Sequence, residues 1–310
     1  MKFRHSHFAI LLPVLFLGAC AGIPPHESLP GTARDKISST EVVLPIKQSE
    51  IYVFVPPSTA GASAGASGGL LGALVGAAID ASVNDVRTTK AETAVKPLRD
   101  ALVDFDFDKT LQSDVKASLS QVSWLHGDNV RVIKETASDS LDHALEASKS
   151  DAVVFIVADY HLSNDGDEFF ITAAVSLFPN SDALKALKAQ KAGGKSPKTV
   201  VTNALYHNTI TIKVDAPNSI KDRDQNIIKW SANNGAAMRA ALKLGAEKLA
   251  MLIAADLQGQ EDAVAGAAAP DPANAVTIDN VPGEIVSRDA QGMIVRFKDG
   301  TLTYFVTATL

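Results

Sequence analysis

The chain predicts an α/β fold: a mixed sheet with packed helices, a glycine-rich helical segment near the N-terminus and a small C-terminal β meander. Three observations point there. Val153-Val154-Phe155-Ile156-Val157 is a continuous β-branched and aromatic run, as expected of a strand buried on both faces. Met238, Leu242, Leu249, Leu252, Ile253 and Leu257 recur at helical spacing within Ser231–Leu257. Between these two, strand-like and helix-like segments mix, which is the pattern of helices laid on a sheet.

The N-terminus reads as a targeting segment. Lys2 and Arg4 precede an apolar run, Phe8 to Leu17, which ends in Leu17-Gly18-Ala19-Cys20. A basic start, an apolar stretch and small residues at a cleavage point make a secretory signal. The run falls short of the roughly 20 apolar residues that span a bilayer. Cys20 is the single cysteine of the chain. This arrangement closely resembles the lipobox of bacterial lipoproteins. The resemblance implies signal removal over residues 1–19, a diacylglyceryl thioether on the Cys20 sulfur and acylation of the new amino terminus. Ala21 follows the cysteine, and in lipoproteins an Asp there commonly signals inner-membrane retention. The resemblance therefore implies the outer membrane. Residues 20–40, with Pro24, Pro25, Pro30 and Gly31, read as a lipidated flexible tether.

The folded region is expected over 41–257. Glu41–Lys47 and Ile51–Val55 are Val- and Ile-rich strands; Pro45 makes the first an edge strand at best, and Pro56-Pro57 ends the second. Ser58–Ile79 carries no charged residue. Its glycines recur every fourth position, and Gly68, Gly72 and Gly76 share one helical ridge that another backbone could approach closely. Asn84–Phe105 reads as an amphipathic helix with Ala91, Val95, Leu98, Leu102 and Phe105 on one face, kinked or broken at Pro97. A helix over Leu111–Val122 follows.

Asn129–Lys134 alternates as a strand, and Ser138 is placed to cap a helix over Asp139–Ser148. Asp151–Leu162 and Phe169–Phe178 form strands around the turn Asn164-Asp165-Gly166-Asp167. Leu184–Gly194 is lysine-rich and reads as an exposed excursion; Thr199–Val214 alternates as another strand. Residues 258–276, dominated by Ala, Gly, Pro and Asp, read as a linker. Residues 277–310 form the meander, with strands Gly283–Ser287, Met293–Phe297 and Leu302–Val306. Three short strands are marginal alone, so they must pack on the main domain or on a partner.

Composition narrows the chemistry. Without Lys2 and Arg4 the chain carries 27 basic against 35 acidic residues, a formal charge of −8. That balance gives no basic patch for nucleic acid. With Cys20 acylated, no thiol remains for a disulfide, a cysteine nucleophile or a cysteine metal site. Asp104, Asp106 and Asp108 alternate with Phe105 and Phe107; an extended segment would place three carboxylates together, a solvated face more often than a cation site. Asp165, Asp167 and Glu168 surround Gly166 but miss the calcium-loop spacing, because His161 falls at the first ligand position. His26, His126, His143, His161 and His207 show no metal-ligand spacing. No Gly-x-Ser-x-Gly elbow or phosphate-binding loop is present. These readings predict no catalytic residue, no metal and no cofactor.

The lipobox, the glycine ridge and the α/β region together look like uncharacterised cell-envelope lipoproteins of Gram-negative bacteria. Element order also faintly resembles the periplasmic domains of the curli-secretion lipoprotein and of lipoprotein activators of peptidoglycan synthases. The expectation is an outer-membrane lipoprotein facing the periplasm, held by lipid on Cys20. It would bind an envelope protein or itself, and not catalyse. An oligomeric secretion or pore component using the ridge helix, and an envelope hydrolase with an unrecognised site, are the alternatives.

Overall fold

A computed structural model describes residues 26–46, 48–56, 85–126, 129–134, 137–191, 203–259 and 274–307. Cys20 and the ridge Gly68, Gly72 and Gly76 lie outside the described residues. The elements in chain order are α1 (Gly31–Arg34), β1 (Thr40–Pro45), β2 (Tyr52–Val53), α2 (Asp85–Ala101), α3 (Phe107–Leu119), β3 (Val130–Ile133), α4 (Ala137–Ala147), β4 (Ala152–Leu162), β5 (Glu168–Pro179), α5 (Asp182–Lys191), β6 (Tyr206–Asp215), α6 (Arg223–Gln258), β7 (Ala275–Ile278), β8 (Val281–Arg288), β9 (Gly292–Phe297) and β10 (Leu302–Val306).

The strands form one mixed ten-stranded sheet ordered β3-β1-β4-β5-β6-β10-β9-β8-β7, with β2 also on β4. The α/β class is as the sequence predicts. Strand β4 explains the continuous apolar run. Val154 and Ile156 enter the main core with α2, α3 and α6, while Val153, Phe155 and Val157 meet Leu141 and Ala144 of α4 on the second face. Strands of period two that are covered on both sides show no polar alternation.

Pro45 does not force β1 to an edge. β1 lies between β3 and β4, parallel to both. Its ladder with β4 ends at Val43, and β2 resumes pairing with β4 only at His161 and Leu162. Pro45 therefore stands where the missing N–H has no partner to lose. The Gln48 amide works in that gap: its Oε1 accepts from the Tyr160 N–H at 3.1 Å, and its Nε2 donates to the Tyr160 carbonyl.

Four further expectations are corrected. Residues 26–40 are not a free tether, because Leu29, Ala33 and Ile37 are buried in the core and Glu27 bridges His207 on β6. Leu184–Gly194 was expected to be an exposed excursion; helix α5 covers Asp182–Lys191 and buries Leu184 completely. The C-terminal strands form the expected meander, and it packs on the main domain: β10 runs parallel to β6 over five paired residues, so the meander extends the main sheet. Strand β7 starts inside the expected linker.

The fourth correction concerns α6. Its stripe is buried as expected, with Met238, Leu249, Ile253 and Leu257 at 0% exposure. Yet the helix is broken at Ala232–Gly235, where Asn233, Asn234 and Gly235 have φ of 53, 58 and 70°. Asn and Gly are the residues that enter this left-handed region at least cost. The break sets Gly235 against Ala101 and Leu102 at the end of α2, and Arg239 donates to the Ala101 carbonyl there. Before the break, Trp230 is fully buried and donates its Nε1–H to the Gly166 carbonyl at 2.9 Å. Helix α2 runs on through Pro97 and ends four residues later, at Ala101.

Candidate functional site

Alternation along β4 places Asp159 and His161 on the second sheet face, beyond the strand residues that α4 covers. Register then builds a row across five strands. Tyr52 pairs with His161, His161 with Phe170, Phe170 with Lys213, and Lys213 with Phe305. At about 4.8 Å per strand the row is about 19 Å long. Its side chains are half-buried, and Phe54, just past β2, is 39% exposed.

The row is stacked along its own length. Ring centroids lie 5.5 Å apart for Tyr52–His161 and 5.4 Å for His161–Phe170, with planes inclined by 30 and 25°. The Lys213 ammonium sits 5.9 Å from the Phe170 centroid and 5.8 Å from that of Phe305, while pairing with Glu168 at 2.5 Å. The inner members, His161 and Phe170, thus have a row neighbour on each side, and these cross-strand contacts stabilise the sheet.

One end of the row carries the chemistry. The Tyr52 hydroxyl donates to Asp159, 3.1 Å from each carboxylate oxygen, and His161 Nδ1 lies 2.7 Å from Asp159 Oδ2. Burial first, then the Asp159 charge and hydrogen bond, push the Tyr52 hydroxyl far above its ordinary pKa, so it stays a donor. In the tautomer that donates from Nδ1 to this carboxylate, Nε2 is the acceptor. Among the described residues nothing bonds His161 Nε2, and the side chain is 20% exposed. The arrangement presents one oriented acceptor amid aromatic edges. Among the described residues no hydroxyl or thiol is bonded to that imidazole.

A nucleophile-type residue and a base do meet elsewhere. Ser176 Oγ lies 2.9 Å from His207 Nδ1, across the β5–β6 register pair. Both are buried, at 5% and 3% exposure. Burial, followed by weaker effects of Glu27 (upward) and His26 (downward), brings His207 down to about 4. A pair closed off in this way reaches no substrate, and we assign it a structural role.

The acidic groups singled out in the sequence are dispersed into separate structural contacts. Asp104 pairs with Arg239, and Asp108 with Lys134. Asp106 is the N-cap of α3, accepting from the Lys109 N–H at 3.0 Å. That corrects the expected helix start: the helix begins at Phe107 and not at Leu111. Asp167 is bound by Ser163 at 2.6 Å and Lys221 at 2.5 Å; burial opposes its ionisation, but these partners outweigh it and hold the carboxyl low. Among the described residues no three His, Cys, Asp or Glu side chains converge as a metal shell. Sequence reasoning passed over Asp159-x-His161. The available signal was a polar pair two residues apart inside an otherwise apolar strand. No protein-family model, no curated protein and no solved structure matches this chain.

Proposed function

We propose that this chain is an outer-membrane lipoprotein that acts by binding, with the His161 end of the cross-strand row as its contact surface. The observation that carries the anchor is Leu17-Gly18-Ala19-Cys20, an acyl acceptor at the end of a signal-like segment. Each buried methylene contributes about 0.8 kcal/mol and two or more chains hold a protein stably on a bilayer, so no protein–lipid contact is needed. No described helix is long and apolar enough to cross a membrane, which is compatible with attachment by lipid alone.

The partner chemistry follows from the surface. An oriented acceptor at His161 Nε2, with exposed Phe54 beside it at 5.7 Å between centroids, suits a side chain that brings a donor on an apolar or delocalised body. We assign the partner as an envelope protein presenting Arg, Trp or Tyr. Such residues dominate the energetic centres of interfaces.

The test is one experiment with two arms. Fatty-acid-analogue labelling should mark the wild type and not Cys20→Ser. Affinity capture from intact envelopes should recover a partner with the wild type and lose most of it with His161→Ala or Phe54→Ala. Equal labelling of Cys20→Ser overturns the anchor. Capture that survives both surface substitutions overturns the contact surface.

A further inference from the structure

The fold grips the chain firmly at His26 and Glu27. The His26 N–H donates to the Asp299 carbonyl at 2.8 Å in the β9–β10 turn, and its ring meets Tyr206 edge-on at 6.2 Å between centroids. A Cβ on Gly300 would stand 2.3 Å from His26 Cβ, so this turn closes on His26 with no space left over. Glu27 and His207 exchange backbone hydrogen bonds of 2.8 and 3.1 Å, and Lys188 of α5 pairs with the Glu27 carboxylate at 3.2 Å.

Three facts identify what this face meets. The first is reach. From Cys20 to His26 is six residues. At no more than about 3.6 Å per residue they span about 22 Å at most. A body gripped at His26 and anchored at Cys20 stands no further than that from the bilayer. The second is charge. Beyond residue 19 the chain carries −8, so an anionic surface repels the body as a whole and best admits a face whose free charges are lysines. Lys185, one turn of α5 before Lys188, and Lys298, next to Asp299, are both exposed, and neither has an ion-pair partner among the described residues. The carboxylates around them are engaged. Glu27 is paired with Lys188, Asp256 is buried against His26, Tyr206 and Asn208, and Asp299 accepts from the Thr301 N–H of its own turn. The third is register. Tyr206 pairs with Leu177 and Leu177 with Val154, whereas Lys213 pairs with Phe170 and Phe170 with His161. The His161 row therefore lies seven residues along the strands from the His26 grip, about 23 Å away.

We propose that the face around His26, with Lys185 and Lys298, lies on the anionic headgroups of the bilayer that carries the anchor. The docking rests on the Cys20 lipidation proposed above. It holds the His161 row at the far end of the sheet, turned away from the membrane and open to a partner.

Energy transfer in vesicles tests this. The full-length, membrane-extracted protein carries a thiol dye at Ala186→Cys, exposed on α5 beside Lys185, or at Asp215→Cys, exposed and nine residues along β6 from Tyr206, about 30 Å further out. The wild type, whose one cysteine is Cys20, sets the labelling background. Phosphatidylcholine vesicles with and without phosphatidylglycerol carry acceptor-tagged headgroups. Flotation with the uncharged vesicles reads the anchor alone. Docking gives more transfer at 186, and less at 215, when phosphatidylglycerol is present. Combining Lys185→Gln with Lys298→Gln reverses both changes, each lysine being worth about fivefold in the ratio of docked to undocked protein. Transfer that ignores phosphatidylglycerol while flotation is kept overturns the docking and leaves the anchor standing. Loss of flotation overturns the anchor and the docking with it. A response to phosphatidylglycerol that survives the double substitution overturns the assignment to this face. Transfer between copies both labelled at 186 makes a second copy the occupant and overturns it too.

Discussion

Lowering the pH from 7.5 to 5 should destabilise this protein through one side chain, His207. Burial holds its folded pKa down at about 4, against 6.5 for the free side chain. The unfolded chain therefore binds the proton first. A lowered histidine contributes full stability above the unfolded pKa, and that stability is lost as pH falls from 6.5 toward 4. Treating His207 as a single site with these two values, the loss is below about 0.2 kcal/mol at pH 7, about 0.8 at pH 6 and about 2 at pH 5. The window matters because carboxylates with depressed pKa values, such as Asp167 and Asp289, withdraw their contribution only nearer the unfolded carboxylate value of about 3.9. The assay is urea unfolding at closely spaced pH values, for the wild type and for His207→Gln, which keeps a polar partner for Ser176 but does not titrate. The wild type should lose about 2 kcal/mol between pH 7 and pH 5, and His207→Gln should lose little. Equal losses in the two proteins would refute the assignment of that slope to a buried neutral imidazole.

Two other outcomes are expected. Leu249→Ala should lower stability by about 2–5 kcal/mol, since Leu249 is fully buried in the main core; an unchanged denaturation midpoint would show that the α6 stripe is misplaced. Gly235→Ala should cost about 1–2 kcal/mol by thermal or chemical unfolding: φ is +70°, and the new methyl would stand an ordinary 3.4 Å from Ala101 and Leu102, so conformation and not collision sets the cost. A stabilised Gly235→Ala would mean that α6 is continuous in solution.

The amino-acid sequence by itself determined the elements whose signal is local. Val153–Val157 announced a strand covered on both faces, because a doubly buried strand needs no polar residue for five positions. The α6 stripe at 238–257 and the hairpin turn at Asn164–Asp167 were equally legible, since the period and the turn residues lie within a few positions of one another. Even the missed left-handed break was written locally, in Asn233-Asn234-Gly235, but a strong apolar stripe downstream outweighed it.

Only the tertiary structure decided how those pieces meet. Pro45 sits mid-sheet because the β1–β4 ladder stops just before it, a fact about β4 and not about residues 41–47. Leu29, Ala33 and Ile37 look like scattered apolar residues in a Pro- and Ser-containing stretch until the core they enter is in place. The candidate site depends on this most. Tyr52, His161, Phe170, Lys213 and Phe305 come from five strands separated by up to 253 positions, and register alone aligns them. Shifting any one of those strands by a single residue would turn its member to the opposite face. Pairing between distant strands is set by the whole sheet closing over one core, and no window of sequence carries that information.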